Sequence, residues 1–205
     1  MGLFITFEGP DGSGKTTLTT RLADYLTNNN KKVLLTREPG GIGISEKIRE
    51  IILDPVNDKM DDRTEALLYA ASRRQHLVEK VLPAVNEGKI VLCDRFVDSS
   101  LAYQGYARGI GIEEVLNINL FAIDNHMPDL TIFIDVDPMI GLSRVGTRGA
   151  KDRLELAGND FHNRVYEGYK KVISMYPDRI KVIDGNRTID EVFESVVEVI
   201  EKVIA

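Results

Sequence analysis

Leu3 to Glu8 is a short apolar run cut off by Gly-Pro, the pattern of a buried strand. Beyond it the period changes. Between Lys15 and Asn29, the residues Leu18, Leu22, Tyr25 and Leu26 recur at helical spacing and form one stripe. The opening unit is therefore strand, glycine loop, helix. Val33 to Thr36 reads as a second strand, and helices are expected over Ile44 to Leu53 and Arg63 to Val85. Asn86-Glu87-Gly88 closes the longer helix, and Ile90 to Asp94 is the third strand.

Ser99 to Ala107 and Ile112 to Asn125 read as helices, followed by Leu130 to Val136, a continuous apolar strand of the kind covered on both faces. Helix Pro138 to Val145 comes next. Gly146 to Arg153 has no apolar period and reads as a mobile loop, the centre of a lid over about residues 143–156. Helix Asp160 to Met175, strand Arg179 to Ile183 and helix Ile189 to Ile204 complete the chain. Five strands separated by helices, with no break in composition, predict a single domain over residues 1–205. Its fold class is α/β, a parallel sheet flanked by helices. Ligands of such sheets sit at the carboxyl ends of the strands, so the binding chemistry is expected in the residues that follow each strand.

Composition adds limits. The 205 residues are 43% hydrophobic and 28% charged, an ordinary globular balance. A chain this long buries roughly 70% of its unfolded surface and needs no staple, in keeping with a single cysteine, Cys93. The net charge of −6 argues against broad nucleic-acid or membrane binding, so an anion must be caught by a local site. The 14 arginines against 12 lysines suit phosphate and carboxylate recognition. No apolar run reaches the roughly 18 residues of a membrane span and no signal-peptide pattern opens the chain, so a cytoplasmic location is expected. A loose acylation pattern at Gly2 is set aside because Gly2 leads straight into the first strand.

Gly9-Pro10-Asp11-Gly12-Ser13-Gly14-Lys15-Thr16 satisfies G-x-x-x-x-G-K-[ST] and falls between a predicted strand and a predicted helix, as that motif requires. Its glycines let consecutive N–H groups converge on a phosphate, and the helix adds the positive end of its dipole. Lys15 is expected to span the outer phosphates of a purine nucleoside triphosphate, and Thr16 to offer a hydroxyl to Mg²⁺. Thr36-Arg37-Glu38-Pro39-Gly40-Gly41 puts Arg37 at the ligand edge; a surface cation is the alternative. Asp94-Arg95-Phe96 pairs a carboxylate suited to the magnesium water shell with an arginine that can fork a phosphate; a structural ion pair is the alternative. Tyr69 and Arg73 share a helix face that can hold a planar base, and Gln104 offers the donor and acceptor a base edge needs; burial in the core is the other reading. His76, His126 and His162 match no metal-ligand spacing.

These motifs, together with Ser99-Ser100-Leu101-Ala102-Tyr103-Gln104-Gly105 and in this order, resemble the thymidylate kinase family over almost the whole chain. The resemblance implies a P-loop nucleotide kinase fold that uses ATP and Mg²⁺ to phosphorylate deoxythymidine monophosphate (dTMP), a step toward dTTP, in a homodimer packed through helices. It also implies that Gly9 to Thr17, Thr17 included, hold ATP, and that Arg37, Arg49 and Arg95 surround the acceptor phosphate. Asp11 would accept from the sugar 3′-hydroxyl, Arg73 and Gln104 would read thymine, Tyr69 would stack on it, and the Tyr103 ring would exclude a ribose 2′-hydroxyl. Glu38, Ser99 and Ser100 join the acceptor side, and Asp94 matches the magnesium-linked carboxylate. None of the variable loop positions Pro10, Asp11, Gly12 and Ser13 is basic, so the chain resembles the family members whose catalytic arginines come from the lid. Arg148 is the first choice, ahead of Arg153 and Arg144. Phe96 departs from the tyrosine or histidine also common there.

Two other functions remain open on sequence. One is a kinase for a different nucleoside monophosphate. The other is a nucleotide-controlled switch, whose Asn-Lys-x-Asp signature does not occur in the chain.

Overall fold

The computed structural model describes residues 2–145 and 152–204. Its centre is a five-stranded sheet of order β2-β3-β1-β4-β5, every neighbouring pair parallel. The strands are β1 (Leu3–Glu8), β2 (Val33–Arg37), β3 (Ile90–Asp94), β4 (Leu130–Asp135) and β5 (Ile180–Asp184). Side chains alternate between the two faces. Phe4, Val91, Cys93 and Phe133 join one core, and Ile5, Phe7, Leu92, Ile132 and Ile134 join the other. Burial on both faces is why the three central strands β1, β3 and β4 read as continuous apolar runs rather than alternating ones.

Helices α1 (Lys15–Asn28) and α9 (Ile189–Ile204) cover the second core with Leu18, Leu22 and Leu26 and with Val192, Val196 and Ile200, two stripes at i, i+4 spacing. On the other face lie α3 (Asp62–His76), α5 (Val97–Ser100) and α8 (Asn159–Met175). Helices α2 (Gly43–Leu53), α4 (Leu82–Asn86), α6 (Ile112–Ile123) and α7 (Pro138–Val145) complete the set among the described residues.

Two helices expected to be regular are not. The Arg63–Val85 stretch widens to a π-helical turn at Leu77–Val81, where the Leu82 N–H bonds to the Leu77 carbonyl. Pro83 follows; it has no N–H to donate and its ring crowds the preceding turn, and the widened turn accommodates it. The Ser99–Ala107 stretch likewise runs as a π-helical turn over Leu101–Ala107 after α5. There α8 comes so close that a Cβ on Gly168 would lie 3.0 Å from the Ala102 Cα. This turn carries Tyr103 and Gln104 to the carboxyl edge of the sheet.

Candidate active site

A cleft of about 600 Å³ opens at the carboxyl ends of β1, β2 and β3. Its phosphate-loop side contains Asp11, Gly12, Gly14, Lys15, Thr16 and Thr17. Gly12 adopts φ +75° and packs so tightly on α7 that a Cβ there would lie 2.0 Å from the Gly141 carbonyl oxygen, which leaves room for glycine alone. Lys15 Nζ donates to the Gly9 and Pro10 carbonyls at 2.9 and 2.8 Å and to Ser13 Oγ at 3.3 Å. Burial, helped by the nearby Arg95 charge, lowers its pKa to about 8.

Thr16 Oγ1 donates to Asp94 Oδ2 at 2.7 Å, so the two residues expected to serve a magnesium ion meet beside Lys15. A hydroxyl and a carboxylate are hard oxygen donors, and magnesium keeps most of its water and needs few protein ligands, so the pair fits. Among the described residues no group of three or more His, Cys, Asp or Glu side chains is gathered to hold a metal.

Arg95 is the hub of the opposite wall. Its backbone lies in the left-handed region at φ +71°, uncommon for a side chain of this size and a feature that clusters at functional sites. The guanidinium donates through Nη2 to Asp11 Oδ1 at 2.5 Å and through Nη1 to the hydroxyls of Ser99 and Tyr169 at 3.0 and 2.9 Å. Both hydroxyls in turn donate hydrogen bonds to Glu8 Oε2, at 2.5 and 2.9 Å, and Glu8 Oε1 accepts the Phe96 N–H at 2.7 Å. Burial, reinforced by Asp98, pushes the Glu8 carboxyl up to about 7. Asp11 behaves oppositely: burial would raise it, but the Arg95 and Lys15 charges and the Tyr103 hydroxyl, which donates to Asp11 Oδ2 at 2.9 Å, hold it below the usual carboxylate range.

The base side is built from α3 and the π-helical turn after α5. Tyr69, Arg73, Ser100, Tyr103 and Gln104 all line the cleft, as do Glu38 and Arg49. Arg73 is buried, donating to Glu38 at 2.8 Å, to Ser100 and the Phe96 carbonyl at 2.9 Å each, and to Asn119. These bonds occupy four of the five guanidinium N–H donors and leave one for a base. Glu38 is thereby held between Arg73 and His76, whose Nδ1 lies 2.9 Å away.

The four remaining arginine expectations fare differently. Arg37 is not among the cleft residues; it makes a bidentate pair with Glu46 at 2.8 and 3.2 Å and is nearly half exposed, the surface-cation alternative. Arg153 turns from the phosphate loop to Glu65, with its Nε on the Ile52 carbonyl and its backbone N–H on the Leu53 carbonyl, so the described end of the lid is tied down rather than loose. Arg144 does reach the loop, its Nη1 3.5 Å from the Gly12 carbonyl oxygen. Arg148 lies outside the described residues.

Sequence reasoning missed Glu8, Tyr169 and Glu65 as parts of this wall. Glu65 alone had a usable signal: it lies four residues before Tyr69 and eight before Arg73, on the same helical stripe.

A phosphoryl transfer between nucleotides needs two anion sites facing one reaction point, and here a glycine loop at a helix N-terminus faces an arginine across one cleft. With the β2-β3-β1-β4-β5 parallel sheet, that pairing defines a P-loop nucleotide kinase. Comparison narrows the class. The family model for thymidylate kinase matches residues 7–196, and the chain belongs to the thymidylate kinase family. It is 59% identical over 197 residues to the thymidylate kinase of Clostridium novyi, covering 95% of this chain and 96% of that one. It is 56% identical to that of Anoxybacillus flavithermus, with 98% of each covered. The crystal structure of thymidylate kinase from Ehrlichia chaffeensis matches with a TM-score of 0.79 at 37% identity, over 98% of both chains.

Proposed function

We infer that this thymidylate kinase moves the γ-phosphoryl group of ATP onto dTMP, giving ADP and dTDP on the route to dTTP, and that the cleft residues divide the work. The observation that carries this reading is the 2.5 Å bond between Asp11 of the phosphate loop and Arg95 at the end of β3, which joins the donor and acceptor sides. A phosphate oxygen of dTMP forms the new bond to the γ-phosphorus while the bond from that phosphorus to the β–γ bridging oxygen breaks and its electron pair leaves with ADP. The attacking oxygen is already ionised at neutral pH. No side-chain nucleophile and no covalent enzyme intermediate are needed, and the protein supplies charge and alignment.

In this proposal Gly9 to Thr17 hold the triphosphate, with Lys15 on the outer phosphates. Thr16 and Asp94 would hold Mg²⁺ or its water shell, and the ion supplies positive charge to the phosphate oxygens. Arg95 and Arg49 grip the acceptor phosphate, and Arg37 joins them if it leaves Glu46. Asp11 accepts from the 3′-hydroxyl, Tyr103 bars a 2′-hydroxyl, Tyr69 stacks on thymine, and Arg73 and Gln104 read its edge. Arg148 and Arg144 supply charge to the transferring group.

A homodimer belongs to the same proposal. Leu67 on α3 and Phe121 on α6, neighbouring helices, are 56% and 90% exposed, and apolar side chains so placed suit a second copy of the chain. A single kinase domain and a cytoplasmic location complete the reading; no helix among the described residues is long and apolar enough to cross a membrane. A coupled assay of ADP release across a panel of nucleoside monophosphates tests the function: dTMP should give the highest kcat/KM, and a clear preference for another base would contradict it.

A further inference from the structure

Gln104 is held by one end. Its Nε2 donates to Glu65 Oε1 at 2.8 Å, and a carboxylate oxygen can only accept, so chemistry fixes which way the amide points. The nitrogen faces Glu65. The Gln104 Oε1 has no hydrogen-bond partner among the described residues, and the side chain lines the cleft.

Glu65 is itself immobilised. Its side chain is wholly buried on α3, and Arg108 reaches it through Nη2 at 3.0 Å and Nε at 3.3 Å. Arg153 closes on Glu65 Oε2 from the described end of the lid, anchored there by the Ile52 and Leu53 carbonyls. Burial favours protonation of Glu65, but the bonds from Gln104, Arg108 and Arg153 outweigh it and keep the carboxylate ionised. An acceptor-only group with two arginines behind it leaves the Gln104 amide one stable orientation.

We propose that Glu65 is a positioning residue for base selection: by holding Gln104 Nε2 it presents Gln104 Oε1 to the cleft as a fixed acceptor. A fixed acceptor suits a base edge with a ring N–H, the imide of thymine or uracil. It opposes cytosine, whose ring nitrogen there is also an acceptor, so that two lone pairs would face each other unpaired. The inference rests on the proposed role of Gln104 in reading the base. Arg73, with one N–H donor left, supplies the complementary half of the pattern.

Glu65→Gln tests it, because an amide can turn either its oxygen or its nitrogen toward Gln104 and so releases the constraint without a change of shape. The ratio of kcat/KM for dTMP over dCMP should fall about tenfold or more, with KM for dTMP raised and KM for ATP within about twofold of wild type. Gln104→Ala should lower the same ratio, and adding Glu65→Gln to it should change the ratio no further. An unchanged ratio in Glu65→Gln beside a lowered one in Gln104→Ala overturns the role of Glu65 and leaves that of Gln104 standing. An unchanged ratio in Gln104→Ala overturns the reading of the base on which the proposal rests. Independent, additive effects of the two changes also overturn the positioning role. Should Glu65→Gln not fold, Glu65→Gln with Arg108→Gln, which removes one of the two cations left uncompensated, is measured in its place against the same outcomes.

Discussion

Asp11 and Arg95 stand 84 residues apart in sequence and 2.5 Å apart in space, one in the phosphate loop after β1 and the other just past β3. Parallel pairing of β1 with β3, which sets Phe7 beside Asp94, brings them together. Donor and acceptor sides therefore meet at this contact, and the register of two central strands fixes the alignment that the transfer requires.

Lys15 is expected to hold ATP as a cation that is already easy to deprotonate. Its pKa is lowered to about 8, so the charged form is present below that pH and lost above it. In wild type kcat/KM for ATP, which reports the free enzyme, should fall as pH rises through about 8. Lys15→Ala should lower activity by orders of magnitude while circular dichroism remains that of the folded protein, and Lys15→Arg should lack the alkaline limb. A flat wild-type profile between pH 7 and 10 would speak against a role for this lysine at the phosphates.

Glu8 is expected to couple stability to pH in the direction opposite to most carboxylates. Its folded pKa, about 7, exceeds the ordinary 4.5, so the folded state binds the extra proton between those values. Its contribution is complete below about pH 4.5 and is lost as pH rises to 7. Glu8→Gln, always neutral, should therefore gain in Tm relative to wild type as pH goes from 5 to 8. Loss of the counter-charge behind Ser99 and Tyr169 should also raise KM for dTMP several-fold. A Tm difference that does not move with pH would contradict the assignment.

Most of the fold was legible because its signals are local: strands buried on both faces read as apolar runs, i, i+4 stripes mark α1 and α9, and the phosphate-loop motif spans eight consecutive residues. What was illegible depends on contacts across the chain. Glu8 meets Tyr169 across 161 residues, and on α8 the tyrosine looks like one more core position. The π-helical turns are hidden in the sequence because apolar spacing continues through them, with Pro83 the one local signal at the first. Motif position drew Arg37 toward the cleft, and nothing in the sequence ranks that site against Glu46 nine residues on.

Tyr103 is expected to act through its ring on the sugar and through its hydroxyl on Asp11. Tyr103→Ala should narrow the kcat/KM preference for dTMP over the ribonucleotide, since steric exclusion is lost. Tyr103→Phe, which keeps the ring, should preserve most of that preference and raise KM. Equal ratios in wild type and Tyr103→Ala would assign sugar choice elsewhere.

The lid arginines are expected to separate by role. Arg148→Ala should lower kcat far more than it changes KM for dTMP, because arginines that neutralise a transferring phosphoryl group contribute about 10³ to 10⁵ in turnover. Arg144→Ala should have a smaller effect of the same kind. Arg153→Ala should act mainly on KM for dTMP, because Arg153 supports Glu65 and through it Gln104. Steady-state kinetics of the three variants checks this, and a collapse of kcat for Arg153→Ala alone would return the catalytic role to Arg153.

The most direct measurement follows a labelled γ-phosphate from ATP in the presence of dTMP and magnesium and compares wild type with Arg95→Ala. Wild type should deliver the label to dTDP, one for each ADP formed, with none retained on the protein after denaturation. Arg95→Ala should lose this transfer by orders of magnitude. Label released as free phosphate, held covalently by the protein, or passed to dTMP equally well without Arg95 would contradict direct transfer between the two walls of this cleft.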